Sequence, residues 1–374
     1  KCLSDELAIH PIVAQLLINR GIDDSEEARH FLNADLSKLH DPFLIKGMDV
    51  VIGRLKQAQS RQETVLIYGD YDVDGVTSSA MMHHLLSRLG VHVVNHIPHR
   101  MDDLNHGIAK IAKQKNVGLF ISVDCGITAY DEVEAIKAEG IDVIIIDHHE
   151  PAHNKVPNAL AIINPKQSDC PYPFRDLASV GLVAKLAQAL QGALSQEILH
   201  MAALGTVADV APLRGENRIF VKAGLPTMAQ TKNKGLQALM KVAKVDPNKK
   251  VSPYHIGFIL GPRINAAGRM DSAHASLDLL LSQDEPQALA CAKVWDRYNI
   301  ARQKMQRSIV EEAMEIIEQE VNFNQEKVIV LSREGWHKGV LGIVASRIAD
   351  KYYRPAIVIS LEDGFGTASA RSIE

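Results

Sequence analysis

Three aspartates, Asp70, Asp72 and Asp74, stand at alternate positions in "VLIYGDYDVDGVTSSA", just where the apolar run 65–68 ends. Alternate side chains of an extended chain share a face, so the three carboxylates converge if the strand geometry continues. Two like charges about 4 Å apart repel by roughly 4 kcal/mol at the effective dielectric of a protein surface, and three together call for a cation. A plainer reading makes Asp74 the N-cap of a helix beginning near Val76, Asp70 a turn residue and Asp72 a solvated one. This stretch alone supports both readings.

Three further motifs carry metal-ligand residue types. "ISVDCGIT" ends a strand-like run on Asp124, "IIIDHHEP" ends another on Asp147, His148 and His149, and "ALGTVADVAPL" sets Asp209 among apolar residues. Taken singly, Asp124 could cap a helix near Thr128 and Asp209 could be a hydrogen-bonded turn residue. Two adjacent histidines after an aspartate at a strand end have little structural reason to be there. Carboxylates and imidazoles ending several neighbouring strands suit two hard or borderline divalent cations, Mn²⁺ or Mg²⁺, better than zinc, for which no cysteine ligand is on offer.

The elements that must position these groups alternate between strand and helix. "TVLIYGD", "VHVVNHIP", "VGLFISVD", "IDVIIIDHH" and "LAIINP" read as strands; "TSSAMMHHLLSRLG" and "TAYDEVEAIKAEG" read as helices closing at Gly90 and Gly140. That alternation predicts a parallel sheet covered by helices, in which ligands gather at the carboxyl ends of the strands. From about 180 to 270 the pattern is mainly helical. The segment 286–321 then runs without an interior proline or glycine and predicts one connector helix of about 50 Å. A second α/β unit follows, with strands "KVIVLS", "PAIVIS" and "GTASARS" and the helix "GVLGIVASRIADKYY". The expected fold is therefore α/β, a parallel-sheet domain joined by a long helix to a smaller α/β domain. Its expected divisions are an N-terminal segment 1–50 packing on a domain 51–284, a connector 285–321 and a second domain 322–374. The chain starts without methionine and stops directly after a strand-like segment, which reads as a fragment with the second domain incomplete.

With 374 residues, 46% hydrophobic and 23% charged, the composition is that of a globular protein of two or more domains. No apolar run approaches the roughly 20 residues of a membrane span, and no signal peptide is evident. Four scattered cysteines without a CxxC pattern agree with a cytoplasmic location. The formal charge of −4 is unusual for a nucleic-acid binder, but two bound divalent ions would bring it to zero.

Taken in order, "GDYDVDG", "VDCGI", "DHH", "GTVADVAPL" and "GPRINAAGR" resemble the DHH phosphoesterase superfamily, and within it the RecJ family of single-strand-specific 5′-to-3′ DNA exonucleases. The C-terminal "GWHKGVLGIVASR" and "SARS" resemble that family's DHHA1 domain, so the likeness covers nearly the whole chain. It implies that Asp70, Asp72 and Asp124 hold one metal, with Asp124 bridging to a second held by Asp74, His148 and Asp209. Asp147 would orient its histidine neighbours, and His149 would face the scissile phosphate. For substrate, it implies Arg263 and Arg269 on backbone phosphates with help from Asn265, surface ion pairs being the alternative for each arginine. It also implies close phosphate approach at Gly339 and Gly342 and a 5′-phosphate pocket of Ser369, Arg371 and Arg100. Trp336 and His337 are candidates for base stacking, a packed core tryptophan being the commoner fate of such a ring. The loop after Arg100 departs from the family pattern, reading "MDDLNHGIAK" where a Gly-Tyr-Gly element is usual. The implied partners are single-stranded DNA, a single-strand-binding protein and a helicase, with no membrane. The alternative activity is cleavage of cyclic dinucleotides or very short oligonucleotides; a non-catalytic DNA-binding relative would have lost the ligands present here.

Overall fold

The computed structural model describes residues 2–98, 107–152, 155–270 and 274–373. Five strands form the first sheet: β1 (Thr64–Gly69), β2 (His92–His96), β3 (Val117–Val123), β4 (Asp142–Ile146) and β5 (Ala161–Ile163). They lie in the order β2-β1-β3-β4-β5 and all pair in parallel. Runs such as "VLIYG" and "VIII" are apolar at successive positions because both faces of the sheet are covered, and the serine of "LFISV", Ser122, is buried with them. The crossovers carry the helices Val73–Arg88, Gly107–Gln114 and Tyr130–Ala138. The first and last of these stop beside Gly90 (φ +74°) and Gly140 (φ +76°), the left-handed turns that glycine tolerates.

After β1 the chain crosses to β2 on one side, and β3 is then laid on the other side of β1. That reversal opens a crevice at the carboxyl ends of β1 and β3, where α/β sheets bind ligands. The helices Ser179–Gln191, Gln196–Ala208 and Gly215–Gly224 build a helical layer against Val73–Arg88, and together with the sheet they make the largest core. Among the first residues, the helices Pro11–Ile18 and Ser25–Asn33 close a small core of their own around Leu17, Ile22 and Ala28. His40 joins this segment to the main body through Glu216, which accepts from its backbone N–H at 3.0 Å.

The helix Glu285–Glu320, 36 residues long, runs from the first core to a second one. At 1.5 Å per residue it spans roughly 54 Å. Around its far end stand β6 (Ile329–Glu334), β7 (Ala356–Glu362) and β8 (Phe365–Arg371), in the order β6-β7-β8, with β8 antiparallel to β7. The helix Leu341–Tyr352 crosses from β6 to β7 and packs on this sheet. Among the described residues, no helix is long and apolar enough to cross a membrane.

One local expectation is corrected. Extended geometry does not persist through Asp74: β1 ends at Gly69, and the helix begins at Val73 rather than near Val76. "GPRINAAGR" is helical throughout, within Gly261–Met270, which follows a π-helical turn at His255–Leu260.

Candidate metal centre

One backbone scheme places the aspartates. Each sits one residue beyond its strand and donates its N–H to the last residue of the next strand: Asp70 to Val123 (3.3 Å), Asp124 to Ile146 (2.9 Å) and Asp147 to Ile163 (3.1 Å). Three adjacent strands thus end in carboxylates at one edge of the sheet. Asp124 adopts φ +65°, a left-handed conformation that is strained for a non-glycine residue and turns the chain sharply off β3.

The other two acids of the first motif arrive by a tight turn and a helix. Asp72, not Asp74, is the helix N-cap, its Oδ1 accepting from the N–H groups of Asp74 (2.9 Å) and Gly75 (3.1 Å). Any Cβ at Gly75 would fall 2.4 Å from the Asp70 carbonyl oxygen, so only glycine closes this turn. Asp74 lies in the first helical turn, fully buried, and accepts from the N–H groups of Ser179 (2.7 Å) and Val180 (2.8 Å) at the start of another helix. A helix N-terminus favours a negative charge, which helps to hold one here. These two amides went unnoticed in sequence because nothing in "ASVGLV" marks a carboxylate partner a hundred residues away. Asp209 is the C-cap of Gln196–Ala208, whose Gly205 gives Asp74 room: a Cβ there would lie 2.9 Å from Asp74 Oδ1.

Side chains from these sources converge. One ligand atom each from Asp70, Asp72 and Asp124 lie within 4.8 Å of one another, and so do those of Asp74, His148 and Asp209, and of Asp124, His148 and His149. His148 Nε2 stands 3.3 Å from Asp124 Oδ1, 3.8 Å from Asp209 Oδ2 and 4.0 Å from Asp74 Oδ2. Asp124 Oδ1 and His148 Nε2 are both buried without a hydrogen-bond partner. Buried polar atoms that lack partners and point into one acidic space are what a bound cation would satisfy, and the oxygen-rich donor set fits Mn²⁺ or Mg²⁺.

The electrostatics agree with that fit. Burial first, then the charges of Asp209 and Asp72, drives the Asp74 carboxyl well above the usual range. Burial and the surrounding aspartates do the same to Asp124. Asp209 is pushed up to about 6, chiefly by burial. Burial, followed by the charge of His149, lowers His148 to about 4, so its imidazole is neutral at physiological pH and able to ligate. Asp147 behaves differently: burial works to raise it, but it accepts from His149 Nδ1 (2.7 Å) and from the N–H groups of His149 (3.1 Å) and Ile127 (2.9 Å). These bonds prevail and hold it below the usual carboxylate range. In return, the bond to Asp147 raises His149, whose side chain remains more than half exposed at the mouth of the centre.

A model of the DHH family, N-terminal domain, matches residues 64–206, the span that carries every residue of these clusters except Asp209, which lies just beyond it. The single-stranded-DNA-specific exonuclease RecJ of Haemophilus influenzae is 34% identical over the whole of this chain, which covers 67% of that relative. The chain belongs to the RecJ family. RecJ of Bacillus subtilis is 43% identical, again over the whole chain, which spans about half (48%) of that relative's length. Among solved structures, an exonuclease RecJ bound to manganese matches with a TM-score of 0.76 at 31% identity, covering 88% of this chain and 83% of that one. RecJ from Thermus thermophilus in complex with Mn²⁺ matches with a TM-score of 0.83 at 29% identity, covering 99% and 53%.

The residues that the RecJ resemblance assigns to substrate fare unevenly. Ser369 and Arg371 come together on β8 over the start of Leu341–Tyr352: a Cβ at Gly342 would lie 3.0 Å from Ser369 Oγ and 3.1 Å from Arg371 Nη2. The close approach is therefore at Gly342. Gly339 is buried and its N–H donates to His337 Nδ1 at 3.1 Å. Trp336 takes the packed alternative: its ring is buried in the second core and its Nε1–H donates to Glu312 at 3.1 Å. Arg263 adopts the ion-pair alternative, with Nε donating to Asp296 Oδ1 at 2.9 Å and Nη1 to the carbonyl of Ile259 at 2.6 Å. Asp296 was missed in sequence since it lies on the connector, 33 residues on. Asn265 Oδ1 is buried and unpartnered. Arg100 and the Arg269 side chain lie outside the described residues.

Proposed function

We propose that this chain hydrolyses single-stranded DNA from its 5′ end to 5′ mononucleotides, using two divalent cations, Mn²⁺ or Mg²⁺. Asp70, Asp72 and Asp124 would hold one ion, and Asp74, His148 and Asp209 the other, with Asp124 shared. The observation that carries this reading is the pair of three-ligand groups at the switch point of the sheet, with orphaned atoms of Asp124 and His148 between them. Ions held there would supply a water of lowered pKa and charge to stabilise phosphate oxygens. The protein's own part is positioning. Asp147 fixes the His149 ring and raises its pKa, so that a partly exposed imidazole N–H faces an incoming phosphate. Gly342, Ser369 and Arg371 form a helix-terminus site suited to a terminal 5′ phosphate.

The relatives' names support an exonuclease acting on single-stranded DNA; the 5′ polarity, action in DNA repair and recombination with a single-strand-binding protein and a helicase, and a cytoplasmic location belong to the same proposal. So do the divisions 1–50, 51–284, 285–321 and 322–374. The test is incubation of 5′-labelled single-stranded DNA with Mn²⁺ or with EDTA, using wild type, Asp70→Ala and Asp124→Ala. Asp124→Ala should be inactive at any metal concentration and Asp70→Ala partly rescued by excess Mn²⁺. Cleavage of cyclic dinucleotides in preference to the strand would overturn the reading.

A further inference from the structure

The connector helix changes character between the two cores. Trp295 packs in the first core and Ile309 in the second. Between them the buried side chains are polar: Asn299 (2% exposed), Arg302 (9%) and Gln306 (5%). Positions i, i+3 and i+7 share one helix face. Arg302 Nη2 donates to Asn299 Oδ1 at 2.6 Å and Nη1 to Gln306 Oε1 at 2.8 Å. Both acceptors are neutral amides. Among the described residues, no carboxylate comes within 4.0 Å of Arg302 or of Arg347. Burial first, then the charge of Arg347 on the neighbouring helix, pushes the Arg302 guanidinium below its usual value, with no acid opposing them.

A buried cation without a counter-charge costs several kcal/mol, and a second cation nearby adds to that. The connector can supply acids where they are needed: six residues earlier Asp296 neutralises Arg263, and Glu312 meets Arg333. At Arg302 the charge is left open. Asn299 and Gln306 instead fix the plane of the guanidinium fork and leave its other N–H groups for an anion, the arrangement that suits phosphate oxygens.

We propose that Arg302, oriented by Asn299 and Gln306, together with Arg347, holds one backbone phosphate of a single DNA strand at the junction of the two cores. This rests on the strand-degrading reading above and adds a positioning site to it. The probe is a fluorescent 5′-phosphorylated oligothymidylate, titrated onto the whole chain by anisotropy in EDTA between about 50 and 200 mM salt. Arg302→Gln and Arg347→Gln should each weaken binding about tenfold and flatten the log K against log salt slope by about 0.7, one phosphate contact of a single strand. Arg302→Lys, which keeps the charge, should recover most of the slope. The Mn²⁺-induced rise in melting temperature, read in parallel, reports whether each variant is folded. Should Arg302→Gln fail to fold, exposed Arg347 still decides. An unchanged slope in Arg347→Gln, or a wild type that does not bind the strand, overturns the inference. A wild type that cleaves the strand while both variants keep its slope leaves the exonuclease reading standing without this site. Loss of slope in the variants, in a wild type that binds but does not cleave, does the reverse.

Discussion

Asp209 links metal binding to pH at the scale of single residues. Its carboxyl is pushed up to about 6, so the metal-free protein retains a proton there well above the unfolded value of about 4. A group raised on folding contributes stability that is full below the unfolded pKa and lost as pH rises through about 6; the metal-free protein should therefore gain from this group on mild acidification. Mn²⁺ must displace the same proton. We expect the Mn²⁺-induced rise in melting temperature to shrink steeply from about pH 7.5 to about pH 5.5, with proton release on binding that differs between buffers in calorimetry. Asp209→Asn should remove part of that dependence. His149 supplies a second test. In Asp147→Asn its imidazole loses the carboxylate charge that strengthens the bond raising it, so its titration, followed by NMR, should move to lower pH than in wild type. An unmoved His149 would sink the orienting role given to Asp147.

Among elements, the contrast between buried and exposed charge predicts which contacts matter. Glu216 is 1% exposed and accepts from fully buried Lys185 (3.0 Å) and from the N–H of His40, with Tyr172 donating its O–H as well. Glu216→Ala leaves the Lys185 charge buried without its partner and should cost about 3–5 kcal/mol in denaturant unfolding. It should also expose the segment before His40 to limited proteolysis. Lys46–Asp169 is a shorter pair, 2.7 Å, but well exposed, and Asp169→Asn should leave the denaturant midpoint unchanged. Where helices meet under the metal centre, the constraint is steric: Gly205→Ala pushes a Cβ to 2.5 Å from Thr77 Oγ1 and 2.9 Å from Asp74 Oδ1. That variant should fold yet need more Mn²⁺ for the same activity, seen as a shifted metal titration.

For the whole molecule, the question is how two units act on one strand. If Ser369, Arg371 and the helix start at Gly342 hold a terminal 5′ phosphate, the distance from that site to the metal centre sets the length of product. Arg371→Ala should then lose about 10- to 100-fold in preference for 5′-phosphorylated over 5′-hydroxyl ends, the worth of one charged hydrogen bond, while Mn²⁺ binding is unchanged. Gel assays on the two kinds of end, single-stranded and duplex, check it. Efficient attack from the 3′ end would refute the pocket.

The strands, the connector helix and the candidate ligands could be picked out from residue types and spacing, because β1, β3 and β4 are buried on both faces and their charged ligand candidates stand one residue past the strand ends. Sequence could also tell that one acid of "GDYDVDG" caps a helix. It could not tell which: Asp72 caps, and Asp74 is buried against the amides of Ser179 and Val180. That choice depends on a helix more than a hundred residues further along the chain. For the same reason the sequence left Arg263 between a phosphate and an ion pair until the fold set Asp296 beside it, left Trp336 between stacking and packing until the second core closed over it, and left Arg302 an unremarked basic residue on the connector helix. Local spacing decides what a side chain can do and which way the backbone turns around it. Whether its charge is met, and by which partner, is a property of contacts between distant segments, and only the packed structure brings those together.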